Sequence, residues 1–280
     1  MKRVLTFVLW SVVFVLAMSC SQKKKDSSPV TVATPTVEAT SIVGSTMASS
    51  SLEETSWKLV FQDEFNDNRL DQSKWNTQDP WGDERNNELQ AYTSDRLVVR
   101  GGFLSIIADR GSAIYDGESR NYVSGILTTY QKFSLKYGRV EVRVRVPRGA
   151  GLWPAVWLLA DSLKWPPEID VLEILGHDPK TVHFANHWGS DWRQHQSLGG
   201  TLAGVDFSSD FHVVQIDWSP GLITWSVDGE ESFHSTSNIP DQPMFLLMNL
   251  AVGGDWPGAP NKDTVFPASF SIDYVRVYSH

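Results

Sequence analysis

Residues Val140-Glu141-Val142-Arg143-Val144-Arg145-Val146 alternate apolar and charged side chains without a fault. Period two puts all four valines on one face, the pattern of a half-buried strand. Val214, Ile216 and Trp218 alternate likewise, and Ser219-Pro220-Gly221 then turns the chain. Ile223, Trp225 and Val227 repeat the pattern up to a tight turn at Asp228-Gly229. Gly101-Gly102 separates Leu97-Val98-Val99 from Leu104-Ser105-Ile106-Ile107, which predicts another hairpin. Ser271 to Tyr278 ends the chain as a strand, and no long stretch carries a helical period. The chain is therefore all-β, and strand density over this length favours a sandwich or jelly roll over a small barrel.

Lys2 and Arg3 precede an apolar run, Val4 to Met18, that is too short to span a membrane and fits a secretory signal. Ala17-Met18-Ser19 leads directly to Cys20, the sole cysteine. That arrangement resembles a bacterial lipobox, departing from the usual pattern at Ala17 and Met18, and implies cleavage before Cys20 and lipidation of its thiol. An ordinary cleaved signal, with the protein secreted, is the alternative. Residues 21–56 are rich in Ser, Thr, Val, Ala and Pro and read as a flexible tether. The predicted organisation is a signal peptide over 1–20, a tether over 21–56 and one folded domain over 57–280, on the cell envelope or outer-membrane surface. One cysteine allows neither an intramolecular disulfide nor a Cys-based zinc site. With 24 Lys and Arg against 33 Asp and Glu, the net charge is -9, which argues against a nucleic-acid partner.

The segment Pro166-Pro167-Glu168-Ile169-Asp170-Val171-Leu172-Glu173-Ile174 carries the chemistry. As a helix, at 100° per residue, it would point Glu168 roughly away from Asp170 and Glu173. As a strand it puts Glu168 and Asp170 on one face and Ile169 and Val171 on the other. Glu173 is then one residue out of phase, and a β-bulge at Val171-Leu172 would restore it. Three carboxylates on one strand face repel one another, which raises at least one pKa and separates the roles of acid and base. The plain alternative is a solvated acidic strand face.

The run Glu168 to Glu173 resembles the bulged E-x-D-x-x-E motif of glycoside hydrolase family 16. Gly151-Leu152-Trp153-Pro154-Ala155-Val156-Trp157 resembles the family's G-x-WPA-x-W strand just upstream. Asn87-Glu88-Leu89-Gln90-Ala91-Tyr92-Thr93, the stretch Asn249 to Gly258 and the ending Asp273 to Tyr278 are similar to segments of its bacterial laminarinase branch. The resemblance implies a jelly-roll β-sandwich of two antiparallel sheets, with a glycan cleft across the concave sheet, and hydrolysis with retention of configuration. Glu168 would be the nucleophile, Glu173 the general acid and base, and Asp170 the group that orients Glu168. Four strand steps place the two glutamate backbones roughly 13 Å apart. Retaining enzymes need carboxyls about 5–5.5 Å apart, so the side chains must lean together.

The same resemblance makes Trp153, Trp157 and Trp256 sugar-stacking residues, with core or loop packing as the other reading of each. It implies sugar-hydroxyl ligands at Asn87 and Glu88. A histidine near the nucleophile would be His187, with His183, on the same face by period two, as its rival. No cofactor is required for two-carboxylate chemistry. Relatives hold a structural calcium at positions matching Glu64, the Gly102 carbonyl and Asp273, and oxygen ligands suit that ion. The activity so implied is an endo-β-1,3-glucanase on laminarin-like glucan; the sequence carries no sign of oligomeric state, and a monomer is the default. Mixed-linkage β-1,3-1,4-glucan, a sulfated or neutral galactan, and a non-catalytic β-glucan-binding role are the alternatives.

Overall fold

The computed structural model describes residues 57–280. The signal segment, Cys20 and the tether over 21–56 lie outside the described residues. The described chain folds as strands β1 (Lys58–Asp63), β2 (Gln90–Tyr92), β3 (Leu97–Arg100), β4 (Phe103–Tyr115), β5 (Glu118–Ser124), β6 (Ile126–Thr128), β7 (Gly138–Arg145), β8 (Leu152–Ala160), β9 (Glu168–Ile174), β10 (Thr181–Trp188), β11 (Gln196–Ala203), β12 (His212–Ser219), β13 (Leu222–Val227), β14 (Glu230–Ser235), β15 (Met244–Val252) and β16 (Ala268–Ser279). Two single 3₁₀ turns, Ser94–Arg96 and Trp192–Gln194, are the only helical segments among the described residues.

One sheet runs β14-β13-β12-β7-β16-β4-β5-β2, with β1 added on β16 and β3 on β4; the other runs β11-β10-β9-β8-β15-β6. Pairing is antiparallel throughout except between β2 and β5. The expected hairpin at Gly101-Gly102 closes β3 onto β4, with Arg100 opposite Phe103. Both glycines have positive φ, +68° and +83°, which suits the primed two-residue turn of a hairpin.

The sheets meet over one large apolar core. Val140, Val142, Val144 and Val146 are at most 3% exposed, so the alternating charges of β7 face outward as the pattern required. A one-residue slip of β7 would expose all four valines, each worth about 1.5–3 kcal/mol when buried, and so the register is fixed. Trp218 and Trp225 of the β12–β13 hairpin are fully buried in the same core.

The six-stranded sheet presents its other face outward, and β9 lies near its middle. On that strand the bulge is where the carboxylate spacing demands it. Asp170 and Glu173 lie opposite Ala185 and His183 of β10, so Val171 and Leu172 share one partner position. Both, with Ile169 and Ile174, remain in the core, while Glu168 and Glu173 reach the outer face. The carbonyl of Asp170, beside the bulge, accepts the indole N–H of Trp225 at 2.8 Å from the core side. A buried tryptophan thereby anchors the irregular backbone under the carboxylates.

Candidate active site

Glu168, at the start of β9, accepts a hydrogen bond at Oε2 from Nε1 of Trp165, 2.5 Å away. Glu173, past the bulge, accepts one at Oε1 from Nε1 of Trp153 of β8, 3.0 Å away. Asp170, between them, is buried, and its Oδ2 is 2.7 Å from Nε2 of His187 on β10. The structure therefore decides between the two histidines. His187 pairs with the central carboxylate, whereas His183 packs its ring edge-on to Trp256 at 4.8 Å.

The electrostatics follow from crowding. Burial, and then the charge of Asp170, raise the Glu168 pKa above its ordinary value, against a smaller downward pull from His187. Glu173 is lifted well above 4.5, first by burial and then by the charges of Asp170 and Glu168. For His187 burial acts downward, but the charge and hydrogen bond of Asp170, with help from both glutamates, win and raise it to about 9. Burial and mutual repulsion thus favour a neutral carboxyl among the glutamates, while His187 meets Asp170 as an imidazolium at neutral pH. One carboxyl can act as an acid while another is ionised, the division of labour that two-carboxylate glycoside chemistry needs.

The flanking residues divide into walls and supports. Trp256 is 42% exposed, in the loop after β15, with its ring edge-to-face against Trp153 at 5.5 Å. That loop presses closely on the Glu88 segment. Gly253 has φ +74°, and a Cβ there would come within 2.5 Å of Leu89, so only glycine fits. Asn87 donates to Asp255 of the same loop at 2.8 Å. Glu88 is buried, and its carboxylate accepts from Gln90, Asn86 and Tyr92. It lies beneath the surface and not at it, and burial raises its pKa. Its chain of hydrogen bonds continues outward, since Asn249 donates to the Tyr92 hydroxyl at 2.9 Å and accepts from Nε1 of Trp157 at 2.8 Å. Glu88 is thereby linked through Tyr92 and Asn249 to Trp157, and both of its carboxylate oxygens accept from protein donors.

The expected calcium ligands are placed on the ten-stranded sheet, away from this cluster. Glu64 there accepts from Nε and Nη2 of Arg276 at 2.8 and 3.0 Å, and Asp273 accepts from Nη1 of Arg143 at 2.5 Å. Gly102 sits in the β3–β4 turn. With both carboxylates facing guanidinium groups, this set as placed does not fit a hard cation, and no role is assigned to one.

Residues 73–276 match the family described as Glycosyl hydrolases family 16. The chain belongs to that family. Family 16 relatives include a glucan endo-1,3-beta-glucosidase A1 of Niallia circulans, 40% identical over 79% of this chain and 37% of its own length. A beta-glucanase of Rhodothermus marinus is 39% identical over 79% of this chain and 85% of its own. Among solved structures, the laminarinase catalytic domain of Thermotoga maritima superposes with a TM-score of 0.72 at 36% identity, covering 80% of this chain and 98% of that one. The all-β reading of the strand pattern and the jelly-roll sandwich implied by the resemblance are both met by the family 16 fold, and the protein is a glycoside hydrolase.

Sequence reasoning missed four side chains of this family 16 site. Trp165 was legible in principle, three residues before Glu168 in a Trp-Pro-Pro turn. Trp225 lies in an alternating strand, but nothing in that pattern signals an indole aimed at the Asp170 carbonyl. Asn249 and His195 lack any local signal; only the tertiary fold brings them to the cluster.

Proposed function

We propose that this protein is a retaining, endo-acting hydrolase of β-1,3-glucosidic bonds in laminarin-like glucans. The observation that carries the reading is the pair Glu168 and Glu173, brought to one face of β9 by the Val171-Leu172 bulge and held by different partners. Glu173, its pKa lifted by burial and by two neighbouring charges, gives its proton to the departing glycosidic oxygen as the bond from that oxygen to the anomeric carbon breaks. Glu168 attacks the anomeric carbon from the opposite face and forms a glycosyl ester. Glu173, now ionised, takes a proton from water, which attacks the same carbon and releases Glu168. Two inversions return the original configuration. Asp170, neutralised in part by His187, lies between the two and orients Glu168. Trp153, Trp157 and the exposed Trp256 supply flat apolar faces to sugar rings. The printed names of the relatives support β-1,3-glucan as the substrate.

The test is product analysis with the purified protein on laminarin, barley mixed-linkage glucan and agarose. Short laminarin oligomers released with β-anomeric retention are expected, and Glu168→Gln should abolish turnover while glucan binding survives. Faster release from barley glucan would favour the mixed-linkage reading, and release from agarose a galactanase. Hydrolysis persisting in Glu168→Gln would sink the nucleophile assignment. The single Cys20 at the end of the apolar leader supports export as a lipid-anchored protein. Cys20→Ala should release the enzyme from membrane fractions, and unchanged retention would rule the anchor out.

A further inference from the structure

His195 belongs to no motif and sits, half-buried, between β10 and β11. Its Nε2 is 2.8 Å from Nδ1 of His187, the ring whose Nε2 meets Asp170. Its own ring packs on Trp165, with centroids 4.5 Å apart. Trp165 is the indole that donates to Glu168. Two routes thus run from His195 into the cluster, one by hydrogen bond to Asp170 and one by packing to the nucleophile.

A contact of this length between two imidazoles holds one proton. With His187 charged, its Nδ1–H donates to a bare Nε2 on His195. With His187 neutral, His195 donates from Nε2 to a bare Nδ1 on His187. In either state the proton on Nε2 of His187 stays directed at Asp170. Without His195 the neutral His187 ring is free to take the other tautomer, which would set a nitrogen lone pair against an ionised carboxylate. The titratable groups acting on the pair are Asp170, Glu168 and Glu173 on β9 and each ring upon the other. Burial, and then the charge on His187, lower the His195 pKa, so the extra proton of the pair resides on His187.

We propose that His195 is a positioning residue for the nucleophile: it fixes the His187 tautomer that donates to Asp170, and it braces Trp165 against Glu168. The proposal deepens the retaining-hydrolase reading and rests on it.

The test uses the full chain and two variants. His195→Phe keeps a ring against Trp165 and removes both nitrogens, whereas His195→Gln keeps an amide able to bond His187. In ¹⁵N-histidine spectra of the wild type, Nε2 of His187 should stay protonated from pH 5 to 10. In His195→Phe, His187 should titrate at lower pH and show mixed tautomers when neutral. A dinitrophenyl β-glycoside of laminaribiose needs no acid assistance to form the glycosyl ester, so the pre-steady-state release of dinitrophenolate reads the Glu168 half of the site alone. Its rate at saturating substrate should fall about ten- to a hundredfold in His195→Phe, the worth of one hydrogen bond to a charged group. The alkaline limb of its pH profile should move down, with oligosaccharide Kd unchanged and most activity restored in His195→Gln. A wild-type pH profile and spectrum in His195→Phe, equal losses in both variants, or a loss confined to KM would overturn the proposal. If the wild-type enzyme cleaved neither this glycoside nor any glucan, the hydrolase reading would fail, while the spectra would still decide the role of His195.

Discussion

Replacing Trp153 with Phe removes the N–H that donates to Oε1 of Glu173 at 3.0 Å and leaves most of the ring in place. That N–H stabilises the ionised carboxylate and not the protonated acid. Its loss should raise the Glu173 pKa further, beyond the lift already given by burial and by Asp170 and Glu168. A hydrogen bond to a charged group contributes about 1.5–3 kcal/mol, and one pKa unit is about 1.4 kcal/mol. Both side chains are partly solvent-exposed, which places the effect at the low end, about one unit. The assay is kcat/KM for laminarin against pH. Its alkaline limb, where the acid loses its proton, should move up by about one unit. The acid limb should stay, because Trp153 makes no bond to Glu168. KM should rise about two- to tenfold, since the edge-to-face contact with Trp256 is weakened as well. An alkaline limb that stays or moves down, with near-UV circular dichroism unchanged, would refute the assignment of Glu173 as the acid or of the indole as its stabilising donor.

Trp225→Phe removes the donor to the Asp170 carbonyl at a fully buried position, so urea unfolding should show a loss of about 2–4 kcal/mol. A loss below about 1 kcal/mol would mean that the carbonyl finds another donor. Stability should also fall with rising pH through His187. Its pKa is raised in the fold from 6.5 to about 9, so the native state holds this proton more tightly than the unfolded chain does. The contribution is complete below pH 6.5 and lost as pH rises through about 9, on the order of 3 kcal/mol in total. His187→Gln should flatten that slope, and an unchanged slope between pH 6.5 and 9 would contradict the assignment. Tyr92→Phe interrupts the chain from Glu88 to Trp157, and should raise KM several-fold with kcat nearly unchanged. An equal fall in kcat would place Tyr92 in the reaction itself.

What the sequence made legible was whatever repeats at period two or sits within one strand. The valines of β7, the β12–β13 hairpin and the bulge at Val171-Leu172 all follow from spacing, because side-chain direction along a strand is a local property. Which histidine meets Asp170 was left open for the same reason. His183 and His187 share a face of β10, and only the shift of register at the bulge sets His187 opposite Glu168 and His183 opposite Glu173. The burial of Glu88 was not legible, because it depends on the loop after β15, which pairs with it through the Gly253 bridge. His195 was invisible: the loop between β10 and β11 has no period, and its contact with His187 is set by how that loop folds back.

The two sheets treat their acids by different chemistry, and the difference explains the use of so many tryptophans. On the ten-stranded sheet Asp217 takes Arg139, Asp273 takes Arg143 and Glu64 takes Arg276. A guanidinium holds a carboxylate in place by pairing with its charge. On the active sheet the donors to Glu168, to Glu173 and to the Asp170 carbonyl are the indoles of Trp165, Trp153 and Trp225. An indole can only donate; it carries no charge and does not titrate. It therefore positions a carboxyl while leaving burial and neighbouring acids free to raise the pKa, which an arginine in the same place would prevent. Among the described residues the cation paired with the trio is His187, and it meets Asp170, the acid that in the proposed reaction neither attacks nor transfers a proton. In that reading, positive charge is kept to the member of the trio whose proton the reaction does not use.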